Sequence, residues 1–193
     1  MIKRVLVVGV GAVLALFVVV PAASAAPPPG FTCTPGGVVC HFSIPDQRYG
    51  PVDTGIVCGS GASSFDIFDQ GVESDQGTQW QDANGNPTKI KDLFVVTDAM
   101  WSNPLTGDVV PYTQHGTVTT VYAVAGDLST ATQTVTGENI YGAGSGTGKW
   151  VLQGNGRAVI DPYTGNVIST TPNQAFFTGN PAAFDQICAA LGA

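Results

Sequence analysis

Chemistry in this chain would have to come from carboxylates, histidines, a glycine-rich loop or a patch of aromatic rings, and the sequence offers candidates of each kind. Asp66, Asp98 and Glu138 stand within strand-like segments. Two carboxyls brought to one inner face would suit general acid and base work, because burial and like charge push a carboxyl into the neutral range. Strand parity alone does not say which carboxylates turn inward. His41 and His115 are the only histidines and show neither His-x-His nor His-Glu-x-x-His spacing. A zinc site would need both to converge on a carboxylate through the fold, and two unrelated histidines are the simpler reading. The segment Ala143-Gly-Ser-Gly-Thr-Gly-Lys149 carries the Gly-Lys pair of a phosphate loop. Trp150, however, stands where such a loop needs Ser or Thr for magnesium, and a strand pattern follows instead of a helix, so an interstrand loop explains it. Asp82, Asn84 and Asn86 alternate like the start of a calcium loop, but Pro87 replaces the required Gly and Leu93 the closing Glu; a hairpin turn accounts for them. Neither Ser60 nor Ser145 lies in a Gly-x-Ser-x-Gly elbow. No metal or cofactor is expected, and no residue is singled out as catalytic.

The aromatic residues are more suggestive. Trp80, Phe94, Trp101, Tyr122, Tyr141 and Trp150, together with Phe65 and Phe68, are suited to line an interior and hold a small hydrophobic ligand. They are equally suited to fill it, which is the commoner state of a small barrel. The first six are the candidate ligand-binding residues.

Whichever residues act, strands must position them. Lys149 to Asp161 has Trp150, Leu152, Gly154, Gly156, Ala158 and Ile160 on one parity and Lys149, Gln153, Asn155, Arg157 and Asp161 on the other, the alternation of a strand with one dry face. The two glycines on the dry face mark either a bend or a turn that splits the segment. Val38–Ser43, Gly55–Cys58, Ser64–Gln70, Thr78–Gln81, Thr88–Thr97, Val109–Gln114, Thr117–Ala125, Thr130–Thr136 and Val167–Thr171 also read as strands. Gln47 to Asp53, with Gly50 and Pro51, reads as a loop, and Asn84-Gly85 as the positive-φ turn of a hairpin. Leu93 to Val96 is apolar on both parities. Thr130, Thr132, Thr134 and Thr136 form a stripe suited to an exposed sheet surface. Such spacing predicts an all-β, antiparallel up-and-down meander that closes into a small barrel, with an open sandwich as the alternative. One short C-terminal helix is expected, capped by Asn180, started by Pro181, carrying Phe184, Ile187, Cys188 and Leu191, and stopped by Gly192.

Lys3 and Arg4, the uncharged run of 16 residues from Val5 to Val20, and Ala23 and Ala25 before a cut give residues 1–25 the layout of a secretory signal peptide. That run is shorter than the roughly 20 residues needed to cross a bilayer as a helix. A Pro-rich leader, 26–32, is expected to be disordered, with one domain over 33–193. Without Lys3 and Arg4 the seven basic residues fall to five against fourteen acids, a formal charge of −9. This acidity speaks against nucleic acid and anionic membrane surfaces as partners, because both are bound by clustered Lys and Arg. The oligomeric state is not encoded legibly. Cys33, Cys40, Cys58 and Cys188 all follow the cut and would form two disulfides in an oxidising compartment. A turn-forming segment between Cys33 and Cys40 favours their pairing, which leaves Cys58 to Cys188; Cys33 with Cys58 and Cys40 with Cys188 is the other arrangement considered.

Val57-Cys58-Gly59, Asn84-Gly85, Asn103-Pro-Leu-Thr-Gly107, Gly148-Lys-Trp150, Gly156-Arg157 and Ile187-Cys188-Ala-Ala-Leu191 together resemble a group of small exported actinobacterial proteins without an assigned activity. The architecture this resemblance implies is the antiparallel barrel of allene oxide cyclases, dirigent proteins and lipocalins. None of the catalytic residues of those families has a matching motif here. The functional expectation is a secreted, non-enzymatic protein that binds a small hydrophobic ligand or a cell-surface partner. A cyclase- or isomerase-like enzyme and a structural envelope protein are the alternatives.

Overall fold

Alternating Val, Thr and aromatic residues build strands that run longer than the turn residues between them suggest. The computed structural model describes residues 30–144, 148–153, 156–171 and 181–193, and the side chains of 138–153 and 181–183 lie outside that description. In chain order the strands are β1 (Phe31–Cys33), β2 (Val39–Cys58), β3 (Phe65–Gln81), β4 (Pro87–Ser102), β5 (Val109–Tyr122), β6 (Ala131–Gly144), β7 (Gly148–Gln153), β8 (Arg157–Ile160) and β9 (Val167–Thr170), followed by helix α1 (Pro181–Ala190). All described pairings are antiparallel, in the order β1-β2-β3-β4-β5-β6-β8-β9, with β7 also alongside β6. The expected meander is therefore the fold. No described helix is long and apolar enough to cross a membrane. The expected signal peptide, residues 1–25, lies outside the described residues, as does Asn180, the expected helix cap.

Barrel closure is where the expectation and the fold part. Among the described residues no ladder joins β1 to β9, so the sheet stays open. The described ladders are interrupted by register shifts, three in the β2–β3 pairing, two in β3–β4 and one each in β4–β5, β5–β6, β6–β7 and β8–β9, and bulges coil and twist a sheet. Helix α1, not a returning edge strand, covers part of the inner face: Ile187 and Leu191 pack with Cys58, Phe65, Ile67, Phe94, Val96, Ala99, Trp101, Val110 and Tyr112. A second, smaller cluster joins Val135, Ala158 and Ile160.

Three finer expectations also need correction. Gln47 to Asp53 is strand, not loop, because Pro51 falls in the register break between Tyr49 and Val52, where no ladder donor is required. The leader is ordered from Gly30 onward. Phe31 stacks on Phe42 with ring centroids 5.2 Å apart, and the Cys33–Cys40 disulfide fastens β1 to β2. At the β3–β4 hairpin Gly85 takes a positive φ of 83° while Asn84 does not; Asp82 stabilises the turn by accepting from the Asn84 and Asn86 backbone N–H groups. Gly154, where a bend or a turn was expected, lies outside the described residues; β8 and β7 pair with successive stretches of β6.

The tail is held at several points. Cys58 and Cys188 form the second disulfide, a bridge across 130 positions. Gly192, at φ 88°, ends α1 in a Schellman arrangement, with Ala193 N–H donating to Cys188 O and Gly192 N–H to Ala189 O. Asn103, buried in the turn after β4, donates from Nδ2 to Leu191 O at 2.9 Å and accepts from Leu105 N–H.

Candidate functional site

The inner face of β3 is read by taking every second residue from Phe65: Ile67, Asp69, Gly71, Glu73, Asp75, Gly77 and Gln79. The register sets these beside Trp101, Val96, Phe94, Asp92 and Ile90 of β4 and beside Tyr49, Gln47, Ile44, Phe42 and Cys40 of β2. A bulge at Asp98, with φ 50°, restores the parity of β4, so Ile90, Asp92, Phe94 and Val96 share a face with Ala99 and Trp101. Four carboxyls, Asp69, Glu73, Asp75 and Asp92, thereby come to one side of the sheet.

Their surroundings shift them in one direction. Burial pushes Asp69 up to about 6, a rise held back by donation from the Tyr112 hydroxyl. Burial, then the charges of Asp75 and Asp69, pushes Glu73 up to about 7. Asp92 is also pushed up to about 7, by burial first and then by Asp75 and Glu73. Asp75 is raised by burial, against a hydrogen bond shared with Asp92 that lowers it. No Lys, Arg or His is among the groups that move these four.

Next to the carboxyls lies a short relay of hydroxyls. Tyr112 Oη donates to Asp69 Oδ1 at 2.8 Å and lies 3.0 Å from Oδ2, while Tyr49 Oη lies 3.1 Å from Tyr112 Oη. With its proton committed to Asp69, Tyr112 accepts from Tyr49. Burial and the Asp69 charge raise both phenols above their ordinary range, so both stay neutral donors. Trp101 stacks on Tyr112 at 4.3 Å and fixes the ring. Such a face can accept hydrogen bonds and exchange protons near neutral pH.

The six aromatic candidates do not assemble into one lining. Phe94 and Trp101 are buried in the main cluster. Trp80 sits on the opposite face with Lys89 Nζ 4.9 Å from its ring centre, and Tyr122 is half-buried at the end of β5. Tyr141 and Trp150 lie on adjacent strands, where Tyr141 pairs with Val151 and Trp150 with Gly142, and their side chains lie outside the described residues. A cleft of about 260 Å³ is lined by Arg48, Tyr49, Gly50, Gln70, Gly71, Asp98 and Met100, none of them an expected ligand-binding residue.

Of the carboxylates singled out in the sequence, Asp66 and Asp98 are exposed, and the side chain of Glu138 lies outside the described residues. Asp69, Glu73, Asp75 and Asp92 went unrecognised, although Phe65 and Ile67 set the parity that leads to three of them. Among the described residues no three His, Cys, Asp or Glu groups converge to hold a metal ion. His41 bonds Thr78 on the outer face, and His115 lies on β5, away from it. Asp82 spends its oxygens on Asn84 and Asn86, as a hairpin turn does. Past residues 145–147, the glycine-rich segment leads into strand β7 and not into a helix, which removes the geometry of a phosphate loop. The chain matches no protein-family model, and neither a curated protein nor a solved structure matches it.

Proposed function

We propose that this is an exported binding protein that takes a small molecule on the inner face of its sheet, with the polar end of the ligand at the carboxyl band and its apolar body against the neighbouring rings. One observation carries the reading: four carboxyls lie on a face that also holds the hydrophobic core, and among the described residues no cation is one of the groups that shift them. Burying carboxyls without cations costs stability that apolar residues of similar size would not, and such a cost is commonly kept for a site. The expectation of a purely hydrophobic ligand is thereby narrowed to one with a polar end. Export is supported by the Lys3–Ala25 pattern and by both disulfides, which suit an oxidising compartment.

Native mass spectrometry of the protein purified from the medium of its producer tests this reading. The expected result is a mass above that of the disulfide-bonded chain that reverts on denaturation. A clean apo mass, together with unchanged melting in the presence of a metabolite extract from the same medium, would count against it.

A second reading, an isomerase-like enzyme, is favoured by the Asp69–Tyr112–Tyr49 relay, which pairs a carboxylate with a neutral donor. Conversion of the recovered ligand by the protein, lost in Asp69→Asn, would select it over simple binding.

A further inference from the structure

Three neighbouring ladders lose their register at one level of the sheet: β2–β3 between Tyr49 and Val52, β3–β4 between Gln70 and Val72, and β4–β5 between Val96 and Ala99. Each break contributes a residue to the cleft of about 260 Å³, namely Gly50, Gly71 and Asp98. Bulges re-aim side chains and are over-represented beside functional sites. The backbone here is specialised as well. Gly50 has a φ of 82°, and a Cβ there would collide with Asp69 O. Asp98, at φ 50°, is one of only two non-glycine residues with a positive φ among those described. Asn tolerates that conformation as Asp does, so the backbone alone does not call for a charge at this position.

We propose that this cleft binds a free amino acid with an apolar side chain, its carboxylate held by Arg48 and its ammonium by Asp98. The cleft is separate from the inner-face carboxyl band, and the inference does not depend on the binding reading above. Arg48 lines the cleft from β2, Gln70 from β3, and Asp98 and Met100 from β4. A cation and an anion thus face one small cleft from strands two ladder spacings apart, about 10 Å from backbone to backbone. A guanidinium presents paired donors that match a carboxylate, and a carboxylate accepts from an –NH3+ group. A ligand with only a negative charge would set it against Asp98, and one with only a positive charge would set it against Arg48. An α-amino acid carries both groups on one carbon and satisfies both residues. The side chain has an apolar wall. Tyr49 lies against Gly71, where a Cβ would stand 3.1 Å from Cε1 of the ring, and its hydroxyl is bonded to Tyr112. Met100, unbranched and polarisable, adapts to varied apolar shapes. The volume falls below the roughly 300–1,000 Å³ of sites for drug-sized molecules, which suits a ligand as small as this one.

Amide NMR titration of the disulfide-bonded chain with L-leucine tests the inference, with isocaproate and isopentylammonium as probes that lack the ammonium or the carboxylate. L-Leucine should shift the Gly50, Gly71 and Asp98 amides. Each single-charge probe should bind at least about tenfold more weakly, the discrimination expected of hydrogen bonds to charged groups. Arg48→Gln should weaken L-leucine by about tenfold without weakening isopentylammonium, and Asp98→Asn should weaken L-leucine as much without weakening isocaproate. Both side chains are exposed and Asn accepts the same φ, so both variants should melt with the parent. A merely structural role for either residue would not produce this crossed pattern. L-Leucine binding no tighter than that of the single-charge probes, or an equal loss of all three in either variant, would overturn the inference. Absence of L-leucine-dependent shifts at the cleft, or shifts confined to Asp75 and Asp92, would overturn it too and leave the inner-face reading standing.

Discussion

Along the inner face of β3, Phe65 and Ile67 pack against Trp101, Val110, Ile187 and Leu191, while further along the same face Glu73 and Asp75 bury carboxyls with no cation among the described residues to shift them. The two regions share a strand, a parity and a register, yet they treat polar groups in opposite ways. At the helix-covered end the buried Asn103 is satisfied from both sides of its amide, by Leu191 O and the Leu105 N–H. Further along, Asp75 Oδ2, Gln79 Oε1 and Asp92 Oδ1 have no hydrogen-bond partner among the described residues. The first end contributes stability through burial, at roughly 25 cal/mol for each Å² of apolar surface removed from water. The second gives some of it up, so a chain can carry a strained polar band only where a firmly packed neighbour offsets it.

The sharpest way to break this comparison is to loosen the packed end. Replacing Cys58 and Cys188 with Ser removes the constraint on a loop of 130 positions and should lower unfolding stability by roughly 4 to 5 kcal/mol in the chain-entropy model. Urea unfolding checks it, and a loss under about 1 kcal/mol would mean that α1 is held by packing alone. Asn103→Ala comes next. It leaves Leu191 O without its donor in a buried site, and a loss of about 1 to 3 kcal/mol is expected from the same measurement.

The polar band should respond in the opposite sense. Asp69, Glu73 and Asp92 hold protons more tightly when folded than when unfolded, with midpoints of about 6 to 7 against ordinary carboxyl values. Between those two ranges the native state binds more protons than the unfolded state, so stability falls as pH rises. Melting followed by circular dichroism should therefore show Tm lower at pH 8 than at pH 5 by roughly 3 to 5 °C, after allowing for partial solvent screening. Asp92→Asn should flatten that dependence and raise Tm at pH 8 while leaving it unchanged at pH 4. A Tm that rises with pH over this interval would show that these carboxyls are stabilised as anions.

How much of this was legible beforehand differs between the two regions. Phe184, Ile187, Cys188 and Leu191 announced α1 because helical spacing and a terminal glycine are local signals, and the turn segment between Cys33 and Cys40 announced their bridge. The hairpin at Asp82–Asn86 was equally plain. The polar band lies where parity runs true, from Phe65 to Gln79 on β3 and from Ile90 to Val96 on β4, and was hidden because Asp and Glu ordinarily face water. Parity slips outside it, at the bulge at Asp98 on β4 and between Tyr49 and Val52 on β2. A residue that slips by one position changes faces. Asp98, named only as a carboxylate in a strand-like segment, sits exposed at the bulge, and Asp92, which follows from Ile90 and Phe94, was passed over. The aromatic residues misled because composition shows how many rings there are and not which face they share. Trp80 and Trp101 are on opposite faces.

The central claim is that burial raises the inner-face carboxyls towards neutrality with no cation among the described residues to counter it. Carbon-detected NMR titration of the Asp and Glu carboxyl groups, assigned with Asp92→Asn and Glu73→Gln, reads this directly. The account predicts midpoints of about 7 for Glu73 and Asp92 and about 6 for Asp69. Titration of Glu73, Asp92 and Asp69 in the ordinary carboxyl range, near pH 4, would contradict it.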